Sequence, residues 1–320
     1  MEIKKLAILG PGGSVGSAII KELLKDGQRF DITAITRQSS TYTSPPDSNI
    51  THKIVDYSAF DSLVAAFTGQ DAIVNCVTGG ATQYDPSKRI IDAAIAAGVM
   101  FFFANEFVSN LMSEQYKRLP ESFVGAKVRI RAYIEELAKQ GKIAWTSLNG
   151  GPFFDMCFDV ANRRARIYGT GDNPLFWTPL PTIAFAAANM LRNPEPIINQ
   201  PIYICNMPHL TQNILLATLE SVLDTKFTVE KVDIKKINEH SLIALGRGET
   251  MKAMKGLTVS NQFYEGDCGN DFSRLIENET VGVEMKSVED AVRDTIKRYG
   301  EDCKVVGGMF IVEPCDISEA

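Results

Sequence analysis

Apolar and polar positions follow two different patterns in the first half of the chain. Short continuous apolar runs are typical of strands buried in a parallel sheet, and they alternate with segments whose apolar residues recur every three or four positions, as on one helix face. This alternation predicts an α/β fold with a Rossmann-type, doubly wound parallel sheet and right-handed crossovers. The predicted strands cover residues 7–9, 30–37, 51–57, 71–80, 100–107 and 142–150, and the later predicted helices cover 60–69, 86–99 and 122–140.

The pattern is less regular after residue 150. An apolar segment near residues 201–206 predicts a strand that rejoins the first sheet. Helices are predicted at residues 182–193, 211–223, 237–245 and 288–299, with a strand at 226–233. We therefore predict a Rossmann domain over residues 1–150, rejoined by that strand. A smaller, partly interleaved C-terminal domain over residues 151–320 would bind substrate above the carboxyl ends of the strands.

The first strand ends in a glycine-rich turn, "GPGGSVG", which leads directly into a helical pattern. Its spacing is G-x-x-G-x-x-G, whereas a G-x-G-x-x-G motif would need glycine where Val15 stands. A helix start offers unpaired N–H groups and a partial positive charge, and glycines let a diphosphate approach them. One interpretation is a tight turn without a ligand. The other is a dinucleotide site whose contacts are Gly10, Gly13, Ser14, Val15 and Gly16.

The end of the second predicted strand distinguishes between the two nicotinamide cofactors. An acidic residue there binds the ribose 2′-hydroxyl of NAD, whereas arginine accommodates the 2′-phosphate of NADP. The chain has Thr36 and Arg37 at this point, which predicts NADP(H), although an arginine at a strand end can also be only a solvated surface charge. Asp56, after the third strand, is either a partner of the adenine amino group or the N-cap of the following helix.

Composition and charge narrow the classes of partner. The 320 residues are 45% hydrophobic, and the net charge of −6 gives no general attraction for nucleic acid or acidic membranes. No apolar run is long enough to cross a bilayer. The six cysteines are dispersed without a C-x-x-C pair, and the three histidines are isolated in sequence, which predicts reduced thiols in a cytoplasmic protein with no metal site.

Two sequence patterns are candidates for the proton-transfer group. "YDPSK", from Tyr84 to Lys88, matches the Tyr-x-x-x-Lys pair of short-chain reductases by letters, but it contains Pro86 and follows the fourth strand, which predicts a loop opening a helix. The helix after the fifth strand carries Lys127, Arg131 and Glu135 four residues apart. These form either a solvated, salt-bridged stripe or a site in which Lys127 faces the nicotinamide with a lowered pKa.

The motifs together resemble the NmrA-like, isoflavone-reductase-like branch of the atypical short-chain dehydrogenases/reductases, which includes phenylcoumaran benzylic ether reductases. "GPGGSVG", "ITR", "KVRIRAYIEE" and "WTSLNGGPFFD" match its motifs, whereas "FFFANEF" carries Ala104 and Asn105 in place of the proline and serine of a P-S-E-F-like motif. The resemblance implies that Lys127 acts in proton transfer and holds the nicotinamide ribose, with Phe153 beside the nicotinamide. Further cofactor contacts that it implies are Thr78, Gly79, Asn105, Glu106, Phe107 and Pro152.

The resemblance implies an NADPH-dependent reductase of specialised metabolism. Hydride would pass to a carbonyl, enone or quinone-methide-type carbon of a small aromatic or polyketide-like metabolite, with Lys127 assisting proton transfer. An aromatic pocket is expected from Phe153, Phe154, Met156, Phe176 and Trp177, unless these residues are plain core. The family also contains NADP-sensing regulators that bind a protein partner, and an isomerase or cyclase that retains NADP is a third possibility. We expect a monomer or homodimer.

Overall fold

The computed structural model describes residues 1–121, 125–156 and 160–301. Seven strands form one parallel sheet in the order β3-β2-β1-β4-β5-β6-β8, which confirms the predicted Rossmann-type α/β fold. A separate pair of parallel strands, β7 and β9, lies in the second half of the chain. The strands are β1 (Lys5–Leu9), β2 (Asp31–Arg37), β3 (Thr51–Val55), β4 (Ala72–Asn75), β5 (Phe101–Ala104), β6 (Ala144–Asn149), β7 (Arg164–Tyr168), β8 (Gln200–Tyr203) and β9 (Thr228–Val232).

Helices cover both faces of the large sheet. The helices are α1 (Ser14–Leu23), α2 (Phe60–Phe67), α3 (Tyr84–Ala96), α4 (Glu114–Lys117), α5 (Ala126–Lys139), α6 (Leu180–Arg192), α7 (Gln212–Leu223), α8 (Ile234–Gly246), α9 (Thr250–Phe263) and α10 (Val288–Tyr299). Residues of α1 and α6 pack in one core on one face, and residues of α2, α3 and α5 pack in another core on the opposite face. The central strands are apolar because both of their faces are covered. No described helix is long and apolar enough to cross a membrane.

The strand order reverses direction between β1 and β4. From β1 the chain builds the sheet outward through β2 and β3, and it then returns to place β4 on the other side of β1. The helices α1 and α3, which follow β1 and β4, therefore pack on opposite faces of the sheet and leave a crevice at its carboxyl edge. Such a crevice is where open α/β sheets bind ligands.

The second half of the chain contributes to both parts of the molecule. Strand β8 pairs with β6 and completes the large sheet, while α6 packs on α1. The β7–β9 pair and residues of α7, α8, α9 and α10 surround a third core. The periodicity did not predict β7 or α9, and part of the predicted helix at residues 122–140 lies outside the described residues. The described part of that helix is α5.

Candidate functional site

The glycine turn after β1 is fixed by backbone packing at two of its three motif glycines. Gly10 has a positive φ of 73°, and a Cβ there would lie 2.5 Å from the carbonyl oxygen of Cys76. A Cβ on Gly16 would lie 2.3 Å from the carbonyl oxygen of Gly10. Gly13 has ordinary φ and its nearest contact would be 3.4 Å, so packing does not demand glycine there. The missing Cβ of Gly13 leaves the start of α1 open to a ligand.

The N-terminus of α1 has the features of an anion site. Gly13 is the N-cap, no side chain caps the helix, and no acidic residue lies in the first turn. The first backbone N–H groups of a helix have no partner within the helix, and they carry its positive dipole end. Ser14, Val15 and Gly16 are the residues whose N–H groups occupy this turn, so the predicted diphosphate contacts lie together.

The end of β2 places the two predicted selectivity residues in different environments. Thr36 is buried, and its Oγ1 lies 2.8 Å from Nε2 of His52 on β3. Arg37 is exposed, and no carboxylate in the described part of the chain pairs with its guanidinium. An exposed, unpaired guanidinium at this strand end has the chemistry needed to bind a phosphate.

Asp56 does not cap helix α2. The N-cap of that helix is Ala59, so the N-cap interpretation is wrong. The Asp56 carboxylate instead accepts hydrogen bonds from the backbone N–H of Ser58 at 2.8 Å and from its hydroxyl at 2.6 Å. These bonds lower the pKa of Asp56. Contact with the adenine amino group stays a prediction.

The loops after β4 and β5 are joined beside the glycine turn. Thr78 and Gly79 are exposed directly beyond β4. Nδ2 of Asn105 donates to the carbonyl oxygen of Val77 at 2.6 Å. Phe107 has a positive φ of 46°, and its backbone N–H donates to the carbonyl oxygen of Leu148 at 3.0 Å. The predicted contacts on these two loops therefore lie at one edge of the sheet.

Lys127 lies at the second position of α5 and faces the loop after β5. Its Nζ donates to the backbone carbonyl oxygen of Glu106 at 2.5 Å. Burial lowers the pKa of the Lys127 ammonium group to about 8, and the Glu106 carboxylate, which favours the charged form, offsets only part of that effect. An ammonium group with this pKa can exchange a proton near neutral pH.

Behind Lys127, a buried ion pair fixes the same loop. Arg131 and Glu106 are each 3% exposed, and the guanidinium binds both carboxylate oxygens of Glu106. Asn149 adds a bond from its Nδ2 to Oε2 of Glu106 at 3.0 Å. The interpretation of the helix pattern as a solvated stripe is therefore wrong at Arg131. Only Glu135, 3.9 Å from Arg131, is substantially exposed.

Sequence reasoning did not select Asn149 or Ser147. Ser147 Oγ accepts from Arg131 at 3.2 Å and from Asn149 at 3.3 Å. Both side chains belong to β6, a strand that is buried apart from its first residue. Polar residues at alternate positions of a buried strand are the signal that could have found them, since buried polar groups need partners.

The segment after β6 brings Pro152 and Phe153 to the same edge. Gly151 has a φ of 70°, and a Cβ there would lie 1.8 Å from the carbonyl oxygen of Phe176, so only glycine fits. The carbonyl oxygen of Pro152 accepts from the backbone N–H of Thr178 at 3.2 Å. Phe153 is partly buried against the first core. Its position beside a nicotinamide stays a prediction.

Three of the aromatic residues expected around a substrate are core residues. Phe154, Phe176 and Trp177 are 0%, 3% and 2% exposed. Phe154 and Trp177 belong to the third core, whereas Phe176 packs with Phe272 and other residues in a separate cluster. Their surfaces are already covered by protein, so a ligand contact would require them to move. The side chain of Met156 lies outside the described residues.

Tyr84 and Lys88 lie in the first turns of α3 and not in a loop. Lys88 is 2.6 Å from the carboxylate of Asp92, and the Arg129 guanidinium lies over the Tyr84 ring at 3.8 Å. The Tyr133 ring contacts both residues, but each of them meets a different charged side chain. This arrangement gives no support to a shared tyrosine–lysine proton pair.

A family model described as NAD(P)H-binding matches residues 10–172. The oxidoreductase aprR of Aspergillus flavus is 27% identical over 305 residues, which cover 92% of this chain and 99% of that protein.

Two solved structures share the fold. The NADPH-dependent quinone oxidoreductase QOR2 of Escherichia coli, solved with NADPH, has a TM-score of 0.68 at 19% identity over 90% of this chain and 99% of its own. A structure from a study of pinoresinol-lariciresinol and phenylcoumaran benzylic ether reductases has a TM-score of 0.70 at 17% identity over 91% of this chain and 99% of its own.

Proposed function

The chain belongs to the NAD(P)H-binding family, in agreement with the NmrA-like and isoflavone-reductase-like resemblance, and we propose that it is an NADPH-dependent reductase of small molecules. The observation that carries this proposal is Lys127. Its ammonium group is held by the Glu106 carbonyl oxygen, and burial brings its pKa to about 8. It lies at the edge of the sheet that also carries the glycine turn. A proton donor beside a dinucleotide site is what a hydride-transfer enzyme requires.

The residues present fit NADPH at three points. The α1 N-terminus offers uncapped N–H groups to the diphosphate, and Gly13 leaves it open. Arg37 offers an unpaired guanidinium to the 2′-phosphate. Lys127 and Phe153, on the far side of the crevice, would face the nicotinamide end. The fit favours NADPH over NADH because Arg37 replaces the acidic residue that NAD sites use.

The protein's own groups have distinct tasks in this proposal. Bound NADPH supplies the hydride. Lys127 holds the proton that the reduced substrate takes up, directly or through water. The Glu106 carbonyl oxygen orients the Lys127 Nζ, while the Arg131–Glu106 pair holds the loop that carries this carbonyl. Phe153 would help to exclude water from the reacting carbon.

We propose a carbonyl, enone or quinone-methide-type acceptor on a small aromatic or polyketide-like metabolite. The names of the structural relatives support this class, since they include a quinone oxidoreductase and benzylic ether reductases. The buried state of Phe154, Phe176 and Trp177 means that the acceptor pocket is to be sought elsewhere. Phe153 is the remaining described aromatic candidate from the sequence prediction.

Calorimetric titration with NADPH and NADH, followed by a screen for NADPH oxidation with quinones, enones and aromatic carbonyl compounds, tests the function. We expect NADPH to bind at least about tenfold more tightly than NADH, equivalent to about 1.4 kcal/mol. At least one acceptor should consume NADPH in a one-to-one ratio. Binding of neither dinucleotide would contradict the proposal. Tight NADPH binding without oxidation by any acceptor would favour the sensing regulator instead.

A further inference from the structure

The segment that follows β2 folds back onto the glycine turn. The backbone N–H of Ser40 donates to the carbonyl oxygen of Arg37 at 3.0 Å, and the backbone N–H of Tyr42 donates to Oγ of Ser40 at 3.2 Å. A Cβ placed on Gly12 would lie 3.6 Å from both Cβ and Cδ2 of Tyr42. The Tyr42 side chain therefore lies directly on the glycine turn, five residues after Arg37.

A second contact fixes the Tyr42 ring from the side of β3. The ring meets His52 edge to face, with centroids 5.5 Å apart and planes at 82°. His52 in turn lies within hydrogen-bond distance of Thr36, at 2.8 Å. Tyr42 is therefore linked back to Thr36, near the end of β2, through its contact with His52. The ring is held between Gly12, in the turn that would take the diphosphate, and His52 on β3, the strand next to the one that carries Arg37.

The hydroxyl of Tyr42 is the unusual atom in this arrangement. Its oxygen is buried, and it has no hydrogen-bond partner among the described residues. Buried hydroxyl groups are normally paired, because an unpaired one loses its bonds to water without replacement. The unpaired hydroxyl indicates a partner that comes from outside the chain. Protein covers the oxygen, so such a partner reaches it by displacing part of the segment after β2, where Thr41 and Thr43 on either side of Tyr42 are exposed.

The position of Tyr42 identifies the chemistry of that partner. The end of the second strand in a Rossmann fold meets the adenosine ribose, and its 2′-substituent separates NADP from NAD. Arg37 supplies a positive charge there, and Tyr42, five residues later, carries a neutral hydroxyl donor. A phosphate oxygen accepts a hydrogen bond more strongly than a neutral ribose hydroxyl does, because it carries charge.

We propose that Tyr42 is a specificity-determining residue whose hydroxyl donates a hydrogen bond to the 2′-phosphate of NADPH. The inference rests on the proposed function, since it requires NADPH as the cofactor. The same phosphate then binds the charged guanidinium of Arg37 and the neutral hydroxyl of Tyr42. The residue contributes to cofactor selection and not to proton transfer.

Titration calorimetry with NADPH, NADH and 2′,5′-ADP tests this role on the intact chain. Tyr42→Phe should weaken NADPH and 2′,5′-ADP about tenfold, equivalent to about 1.4 kcal/mol, and leave NADH unchanged. Tyr133→Phe is the matched control, since it removes a hydroxyl that donates to Asp92 on α3. It should change none of the three dissociation constants.

The melting temperature gives a second measurement. Tyr42→Phe removes an atom without a partner, so the ligand-free protein should melt at the same temperature or higher. The rise in melting temperature on adding NADPH should be smaller than in the wild type. Equal NADPH affinity in wild type and Tyr42→Phe, or equal losses for NADPH and NADH, would overturn the inference. Wild-type protein that binds neither dinucleotide would instead overturn the proposed function.

Discussion

The two ends of the candidate cofactor site hold their charges in opposite ways. At the end of β2, Arg37 is exposed and has no carboxylate partner in the described part of the chain. At the start of α5, Arg131 is 3% exposed and binds Glu106 through both carboxylate oxygens. Lys127 lies beside this pair and donates to the Glu106 carbonyl oxygen.

The different proposed functions of Arg37 and of the Arg131–Glu106 pair explain why one is exposed and the other is buried. An exposed arginine can offer its full hydrogen-bonding capacity to an incoming phosphate, because no internal partner competes. A buried pair offers nothing to a ligand, and its value lies in holding the loop that positions Lys127. If this comparison is correct, substitutions at the α5 end should affect turnover and folding, while substitutions at the β2 end should affect only cofactor affinity.

The largest expected effect is that of Lys127→Met on turnover. Loss of a positioned proton donor should lower kcat by about 10²–10⁴-fold. NADPH affinity should fall far less, because the diphosphate and 2′-phosphate contacts remain. Steady-state kinetics and calorimetry measure the two effects. Lys139→Met, which changes an exposed lysine in the last turn of α5, is the control and should leave kcat unchanged. Unchanged turnover in Lys127→Met would remove the functional distinction between the two ends.

The next effect is that of Arg131→Met on folding. This change leaves the Glu106 carboxylate buried without its partner, which should lower the free energy of unfolding by about 3–5 kcal/mol. Denaturant titration measures it. Arg129→Met is the matched control, since Arg129 is on the same helix, is exposed and pairs with Glu121. We expect about 1 kcal/mol or less there. Equal losses in the two variants would mean that burial of the Arg131 pair has no structural importance.

The contrast between the two ends also shows what sequence patterns can predict. The predicted order of strands and helices places the glycine turn and Arg37 at one edge of the sheet, since β1 and β2 are parallel neighbours. Their contact with a cofactor stays a prediction. The burial of Arg131 was not predictable from spacing, because its partner lies 25 residues earlier on another element. Helix spacing reports which residues share a face, and it does not report what covers that face.

The second half of the fold shows the same limit. Strand β7 has two arginines in five residues and pairs with β9, which begins more than 60 positions after β7 begins. Helix α9 contains Gly256 and a run of buried polar residues, from Ser260 to Gln262, that interrupts its apolar pattern. Tertiary packing stabilises both elements, so local periodicity did not predict them.

At the opposite end of the site, Arg37→Ala should act on affinity alone. A charged hydrogen bond is worth about 1.5–3 kcal/mol, so the Kd of NADPH should rise by roughly tenfold to a hundredfold, while that of NADH stays nearly constant. Calorimetry at low and high salt measures this, and the difference should shrink at high salt because Arg37 is exposed. Arg37→Lys retains the charge and should recover part of the affinity. Equal losses for both dinucleotides would contradict the phosphate assignment.

The smallest expected effect is a change in the free energy of unfolding with pH, which comes from the burial of the Lys127 ammonium group and is measured apart from turnover. The pKa of Lys127 is about 8 in the folded protein, against an ordinary value of 10.5. The unfolded chain therefore binds more protons between these pH values, and the lysine's contribution to stability rises with pH across that range. Lys127→Met should exceed the wild type in free energy of unfolding by on the order of 1 kcal/mol at pH 7, because the side chain is only part buried.

This advantage of Lys127→Met should disappear as the pH approaches 10.5, where the lysine is neutral in both states. Denaturant titrations of both proteins at several pH values measure it. Over the same range, kcat of the wild type should fall above about pH 8, since proton donation requires the ammonium form. A constant stability difference would mean that the Lys127 ammonium is fully solvated. The two ends of the site would then hold their reactive cations in the same way, and only the Arg131–Glu106 pair would distinguish them.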